Sequence, residues 1–350
     1  MSNYPYMTLH TFELSLNITK EEEQICRDYF YTEAAKLCIR CFDKNGWLNF
    51  YGYQKAGIKI SLRSNVNTPG ALIRLRINPS VLCGDTDPTA LFLPDRKNMN
   101  DMIGLLDALT HNFLREHTIY DFTLNRLDLC RNIYLEKQEY LAEYLRLLHK
   151  RADQLHWDAE RFGDERDDHS FRRYRTDYEV TVYDKIYELQ QEDRSRYQQE
   201  SFQWTRDERI LRVETSLLRN GIRSQIEKRN IDRDIVWPDL LLKLSASGLF
   251  IMTELLDLLI PDSTYYSLDA ARILIALSDF REHKKEKLGQ FLYQVNRNLT
   301  LDRSKLQQEK NGAKRLRQLN DLNINPVTIE SRARIDMLPS IQDLLKMTCV

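Results

Sequence analysis

Three short segments bring together side-chain types that can move a phosphoryl group: Leu124-Asn125-Arg126-Leu127-Asp128-Leu129, Tyr183-Asp184-Lys185-Ile186-Tyr187-Glu188 and Leu211-Arg212-Val213-Glu214-Thr215. Two of them set an arginine and a carboxylate two residues apart inside a β-type apolar run, and the third offers a tyrosine and a lysine at that spacing. Side chains two apart on a strand share one face. If the three strands belong to one sheet, Arg126, Asp128, Tyr183, Lys185, Arg212 and Glu214 converge on one surface. A divalent cation held there by Asp128 and Glu214 would polarise phosphoryl oxygens, and the two arginines would orient phosphates bidentately. Tyr183, whose phenol ordinarily titrates near pH ~10, would need Lys185 or the cation to stabilise its phenolate. Glu188 has the opposite strand parity to Tyr183 and reaches the same face only if a bulge or a strand end intervenes. Tyr187 shares the parity of Tyr183, and both it and Tyr178 are alternative nucleophiles. The bland alternative pairs Arg126 with Asp128 and Arg212 with Glu214 as surface ion pairs of ~0–1 kcal/mol, and makes Tyr183 an ordinary strand residue among 18 tyrosines.

The elements that must position these residues follow from periodicity. Met7 to Leu16 alternates as a strand, and Thr19-Lys20-Glu21-Glu22 opens a helix with an N-cap and early acids. Trp47 to Tyr53, Gly57 to Arg63 and Ala71 to Ile77 read as an antiparallel meander, with a turn at Pro69-Gly70. Met102, Leu105, Leu106, Leu109 and Phe113 mark an amphipathic helix, and Phe122 to Ile133 is the strand of the first Arg-x-Asp pair. Leu141, Tyr144, Leu145 and Leu148 give a helix stripe that covers the sheet. His156 to Tyr174 is charged and apolar-poor and reads as a loop. Glu179 to Leu189 and Arg209 to Leu218 complete the sheet, around a glutamine-rich insert from Gln190 to Asp207. Beyond about Asn220 the pattern turns helical. The fold class expected is α+β, a mainly antiparallel sheet flanked by helices and followed by a helical C-terminal domain, with catalytic and C-terminal units at 1–225 and 226–350.

Composition sets limits on the partner. The chain has 350 residues, 42% hydrophobic, with 51 basic and 52 acidic side chains, so a nucleic-acid surface must come from local clustering. Such clusters are Arg172, Arg173 and Arg175, Arg219 just after the third segment, and Lys314, Arg315 and Arg317 near the end. The apolar stretch from Leu240 to Ile260 is interrupted by Lys243, Glu254 and Asp257, so a buried helix or helix pair is expected and no membrane partner. Six scattered cysteines and an N-terminal segment without a leader pattern suit a reducing cytoplasm. Cys38-Ile39-Arg40-Cys41 lacks the second pair that zinc would need.

The order Arg-x-Asp, Tyr-x-Lys-x-x-Glu, Arg-x-Glu resembles the rolling-circle replication initiators of the Gram-positive plasmid class and the replication endonucleases of filamentous phages. The residues that carry the resemblance are Arg126 and Asp128; Tyr183, Lys185 and Glu188; and Arg212 and Glu214. Arg76-Ile77-Asn78-Pro79-Ser80-Val81-Leu82 also looks like a phage-type segment before a helix. The resemblance covers about residues 50 to 220. It implies replication initiation at a phage or plasmid origin: Tyr183 nicks one strand, forms a 5'-phosphotyrosyl link and later rejoins it. It further implies a magnesium or manganese ion on Asp128, Glu214 and Glu188. The implied partners are origin DNA, supercoiled or single-stranded, a host helicase and DNA polymerase, and a second copy in a homodimer. Asn125 replaces the usual serine, and Asn132 stands where some relatives have a second acid. The competing functions are a non-catalytic DNA-binding regulator and a metal-dependent phosphodiesterase that uses water.

Overall fold

The computed structural model describes residues 6–39, 41–44, 46–65, 69–152, 158–160, 169–192, 208–297 and 311–347. Strands β1 (Leu9–Ile18), β2 (Phe42–Lys44), β3 (Trp47–Phe50), β4 (Ile58–Ser64), β5 (Ala71–Ile77), β6 (Thr123–Tyr134), β7 (Asp158–Glu160), β8 (Ser170–Tyr174), β9 (Tyr178–Asp184) and β10 (Ile210–Leu218) form one sheet. Their order is β2-β3-β4-β5-β1-β6-β10-β9-β8-β7, and neighbours pair antiparallel. This is the expected α+β class. Alternation makes the sheet two-faced: Ile58, Ile60 and Leu62 on β4 and Ile73, Leu75 and Ile77 on β5 are buried, while Lys59, Arg63 and Arg76 between them are exposed. The β4–β5 connection ends in Gly70 at φ +108°, where an added Cβ would lie 2.1 Å from the Ile18 carbonyl oxygen, so only glycine fits.

Helices flank the sheet. They are α1 (Lys20–Lys36), α2 (Pro79–Leu82), α3 (Arg96–Thr110), α4 (Gln138–Ala152), α5 (Lys185–Glu192), α6 (Arg219–Lys228), α7 (Trp237–Ala246), α8 (Gly248–Asp257), α9 (Leu268–Leu277), α10 (Glu282–Arg297), α11 (Gly312–Asp321) and α12 (Ile341–Met347). The Thr19–Glu22 capping box starts α1, and Phe30 of that helix stacks on Phe50 of β3 at 4.9 Å. The apolar run at 240–260 resolves into α7 and α8, which meet at Ser247. Trp237 of α7 stacks on Phe12 of β1 at 5.6 Å, and its indole N–H donates to the Ile119 carbonyl at 2.8 Å. Among the described residues no helix is long and apolar enough to cross a membrane. Position 225 falls inside α6, and the residues on both sides of it share one hydrophobic core.

Three elements differ from the sequence reading. The stretch read as a loop contains β7 and β8, because its charged residues find partners in the sheet: Arg172 Nε forms an ion pair with Glu179 Oε1 of β9 at 2.7 Å. The strand expected through Leu189 stops at Asp184 and becomes α5. The strand expected through Tyr53 stops at Phe50. Most of the glutamine-rich insert, 193–207, lies outside the described residues.

Candidate functional site

Strand β10 lies between β6 and β9, and its register sets the site. Arg212 is opposite Asn132 on β6 and Tyr183 on β9, Glu214 opposite Cys130 and Thr181, and Ser216 opposite Asp128 and Glu179. Cross-strand partners share a face, so Arg126, Asp128, Tyr183, Arg212 and Glu214 all project from one side of the sheet. The helix α5 then closes over the end of that side and brings Lys185 to it, 5.9 Å from the Tyr183 ring centroid.

At the centre the Tyr183 hydroxyl donates to Glu214 Oε1 at 2.6 Å. The same oxygen lies 2.9 Å from His10 Nδ1 and 3.7 Å from Cys130 Sγ. His10 is a residue that the sequence reading missed. Between Leu9, paired with Leu129, and Phe12, paired with Leu127, β1 carries one residue more than β6. That bulge lets Leu9 and Phe12 both enter the core, fully buried, and turns His10 to Glu214 and Thr11 to Asp128. The one signal in the sequence is the break in alternation at His10-Thr11.

The electrostatics favour a protonated phenol. Burial pushes the Tyr183 hydroxyl well above its usual range, and the neighbouring Glu214 charge pushes it further, with Arg212 opposing. Burial also disfavours the Glu214 carboxylate, but His10, Arg212 and the Tyr183 hydroxyl outweigh it and hold Glu214 well below the usual carboxylate range. Arg212 is fully buried. Its Nε donates to Asn132 Oδ1 at 2.8 Å and one terminal nitrogen to the Thr89 carbonyl at 2.5 Å. Its Nη1 is buried with no hydrogen-bond partner among the described residues, an uncompensated donor beside Tyr183. The pairing of Arg212 with Glu214 as strand neighbours is therefore not a direct hydrogen bond.

Arg126 and Asp128 do form the direct pair. Arg126 Nε bonds Asp128 Oδ1 at 2.7 Å, Arg126 also donates to Ser216 Oγ at 2.8 Å, and the buried Asp128 accepts from Thr11 Oγ1. Lys185 and Glu188 lie three residues apart on α5 and bond each other. Burial, with Arg212 nearby, lowers the Lys185 pKa. The strand end that Glu188 required is present, and Asp184 makes it: its Oδ1 accepts from the amides of Ile186 and Tyr187 at 3.0 Å each, an N-cap.

The expected metal ligands are thus each engaged elsewhere, Asp128 by Arg126 and Thr11, Glu214 by His10 and Tyr183, and Glu188 by Lys185. Among the described residues no group of three or more His, Cys, Asp or Glu is close enough together to hold a metal. The side chains as placed do not fit a three-carboxylate site for magnesium or manganese.

Of the alternative tyrosines, Tyr187 sits on α5 with its ring stacked on His169 at 3.5 Å, and Tyr178 has the opposite strand parity to Tyr183 and bonds Arg175. Among the basic residues, Arg175 and Arg219 are exposed, Arg172 is half-buried against Glu179, and Arg173 is a correction. Its side chain is buried, 1% exposed, with the guanidinium over the Phe171 ring, and cannot reach a phosphate. Lys314 and Arg317 are exposed on α11, where Arg315 lies over Phe291 of α10. Comparison of the chain with protein-family models, curated proteins and solved structures found no match.

Proposed function

We propose that the protein initiates replication at a phage or plasmid origin as a tyrosine endonuclease, nicking one DNA strand through Tyr183 and later rejoining it. The observation that carries this reading is the Tyr183–Glu214 hydrogen bond of 2.6 Å beside the uncompensated Nη1 of Arg212. An acceptor on the nucleophile and a buried cation beside it are what a phosphodiester requires of such a site. Tyr183 Oη attacks the phosphorus, the P–O3' bond breaks, and the DNA is left with a 5'-phosphotyrosyl link and a free 3'-hydroxyl. The phenolic proton leaves toward Glu214 Oε1, which His10 also faces, and a proton is returned to the departing 3' oxygen. Rejoining is the reverse attack by the 3'-hydroxyl. In this reading Arg212 Nη1, buried in the closed site, takes a phosphoryl oxygen once the strand has entered, and Arg126 stands three rows along the same face. No step is assigned to a metal here, and the expectation of magnesium or manganese passes to the assay.

The test is to incubate supercoiled DNA carrying the cognate origin with magnesium, with manganese or with chelator, using wild type and Tyr183→Phe. A nick and a protein–DNA adduct, both lost in Tyr183→Phe, are the expected result. Equal nicking by the variant would replace the tyrosine with water as nucleophile, and binding with no nick would leave a DNA-binding regulator. Helicase, polymerase and homodimer partners remain part of the proposal and are read from pull-down and sedimentation of the same preparation.

A further inference from the structure

Beyond the tyrosine the same polar side of the sheet continues across four more strands, and its composition changes. One cross-strand row runs Lys59 on β4, Arg76 on β5, Glu13 on β1 and Arg126 on β6, ending two residues from Asp128. The next rows hold Arg74 and Arg63, which lie over the ring of Trp47 on β3, at 4.4 and 5.7 Å from its centroid. Lys59, Arg63 and Arg76 are exposed, while Arg74 is held by Glu13 at 3.0 Å. A cleft of about 500 Å3 opens beside them over β1, β5 and β6, lined by Glu13, Arg74, Asn125 and Arg219 among others. Among the described residues five cations therefore share this side with the carboxylates of Glu13 and Asp128, and Lys59, Arg63 and Arg76 are the exposed ones, in a chain whose total charge is −1.

We propose that this half-sheet is a binding track for single-stranded DNA that leads to Tyr183, an inference that rests on the nicking reading and adds the path the strand takes. A row of cations at the ~4.8 Å strand spacing tracks a phosphodiester backbone, and the guanidinium of exposed Arg63, lying with Arg74 over the Trp47 ring, offers a flat cationic surface to a base. From β3 to β9 is six strand steps, about 29 Å across at that spacing, a path several nucleotides long. An extended single strand leaves its bases free to meet such groups beside the backbone, whereas a duplex keeps them stacked and paired inside.

The experiment measures fluorescence anisotropy of a labelled oligothymidylate of about 20 nucleotides, longer than a typical single-strand site, over a range of salt concentrations, and of the same length as duplex. The proteins are the full chain, the triple variant Lys59→Ala/Arg63→Ala/Arg76→Ala, its counterpart Arg63→Lys/Arg76→Lys, and Tyr183→Phe. Each lost phosphate contact reduces the slope of log K against log salt by about 0.7 for a single strand. The triple variant is expected to bind at least tenfold more weakly with a slope shallower by about 2, with unchanged circular dichroism. The lysine variant is expected to restore the slope, and Tyr183→Phe to bind as wild type. Wild-type affinity and slope in the triple variant, tighter binding of duplex than of single strand, or no binding by wild type would overturn the track. Origin nicking in the triple variant with unaltered binding would remove the track and leave the nickase. Weakened binding with no nicking by any form would remove the nickase and leave the track.

Discussion

Asp184 decides whether Lys185 and Glu188 reach the tyrosine, and replacing it separates the cap from everything else the residue does. Its Oδ1 accepts from the Ile186 and Tyr187 amides at 3.0 Å each, while Oδ2 takes a bond from Gln138 at 3.2 Å. Asparagine caps as well as aspartate, and alanine does not. The helix has 8 residues, too few to hold itself without a cap and tertiary packing. Asp184→Ala is expected to cost about 1–2 kcal/mol, the usual range for a lost N-cap. Local opening of α5 would then be roughly 5- to 30-fold more frequent. Hydrogen exchange of the Ile186 and Tyr187 amides reads this directly, with acceleration in Asp184→Ala and near wild-type protection in Asp184→Asn. If the site needs the helix, origin nicking falls in the alanine variant and survives in the asparagine variant. Equal protection in all three proteins would refute the reasoning: the packing of Ile186 and Leu189 on Ile210 would then hold α5 without its cap.

Four further outcomes follow from the same geometry. Glu214 has a folded-state pKa below its unfolded one, so its contribution to stability is fully present above the ordinary glutamate range and is lost as the pH falls through the folded value; Glu214→Gln should flatten that acid limb in urea unfolding followed by tryptophan fluorescence. Arg126→Met leaves the buried Asp128 carboxylate with the Thr11 hydroxyl and without its guanidinium, and should destabilise the fold by about 2–3 kcal/mol, part of which Asp128→Asn in the same chain recovers. Arg173→Met should leave the salt dependence of DNA binding unchanged because the side chain is buried, whereas exposed Arg175→Ala should make it shallower by about 0.7–0.9. Gly70→Ala forces a Cβ to 2.1 Å from the Ile18 carbonyl oxygen at φ +108° and should lower the melting midpoint by an amount equivalent to about 1–3 kcal/mol.

If Tyr183 is the nucleophile, its proton sits on the wrong atom for attack until a phosphodiester arrives. A phenol raised by burial donates to a carboxylate held ionised by His10 and Arg212, so transfer between them is uphill while the site is empty of substrate. A phosphodiester placed on Arg212 Nη1 would remove the desolvation of that donor and give its charge an anion to balance. The phosphate's own negative charge would at the same time oppose ionisation of Tyr183. The two effects have opposite signs, and a further cation near the phosphate would shift their sum toward ionisation. Lys185 is one such cation, 5.9 Å from the Tyr183 ring centroid and buried with Glu188 as its partner. The Lys185–Glu188 bond is then a brake, and Glu188→Gln should raise the rate of adduct formation if Lys185 supplies that charge and lower it if Glu188 is needed as a ligand.

What the sequence made legible was whatever depended on period 2 or on a local cap. Ala71–Ile77 is the strand its alternation describes, Thr19 caps α1 as its acids announce, and the three motifs share a sheet face because residues two apart must. What it hid depended on pairing between distant strands. No local pattern says that β1 takes one residue more than β6 between Leu9 and Phe12, yet that extra residue is what turns His10 to the Tyr183–Glu214 pair. The charged stretch before β9 reads as a loop because a strand's polar residues are normally solvated, and here Arg172 instead meets Glu179 on the neighbouring strand, across the β8–β9 hairpin. Glu188 shows where local and non-local signals compete. Counting parity from Tyr183 along a strand puts it on the wrong face, and the counting is correct for a strand; but Asp184 is a strong helix N-cap, and once the chain turns helical at Lys185 the rule changes from period 2 to 3.6. A lysine and a glutamate three apart then share a helix face, which is why Lys185 and Glu188 pair in the folded chain.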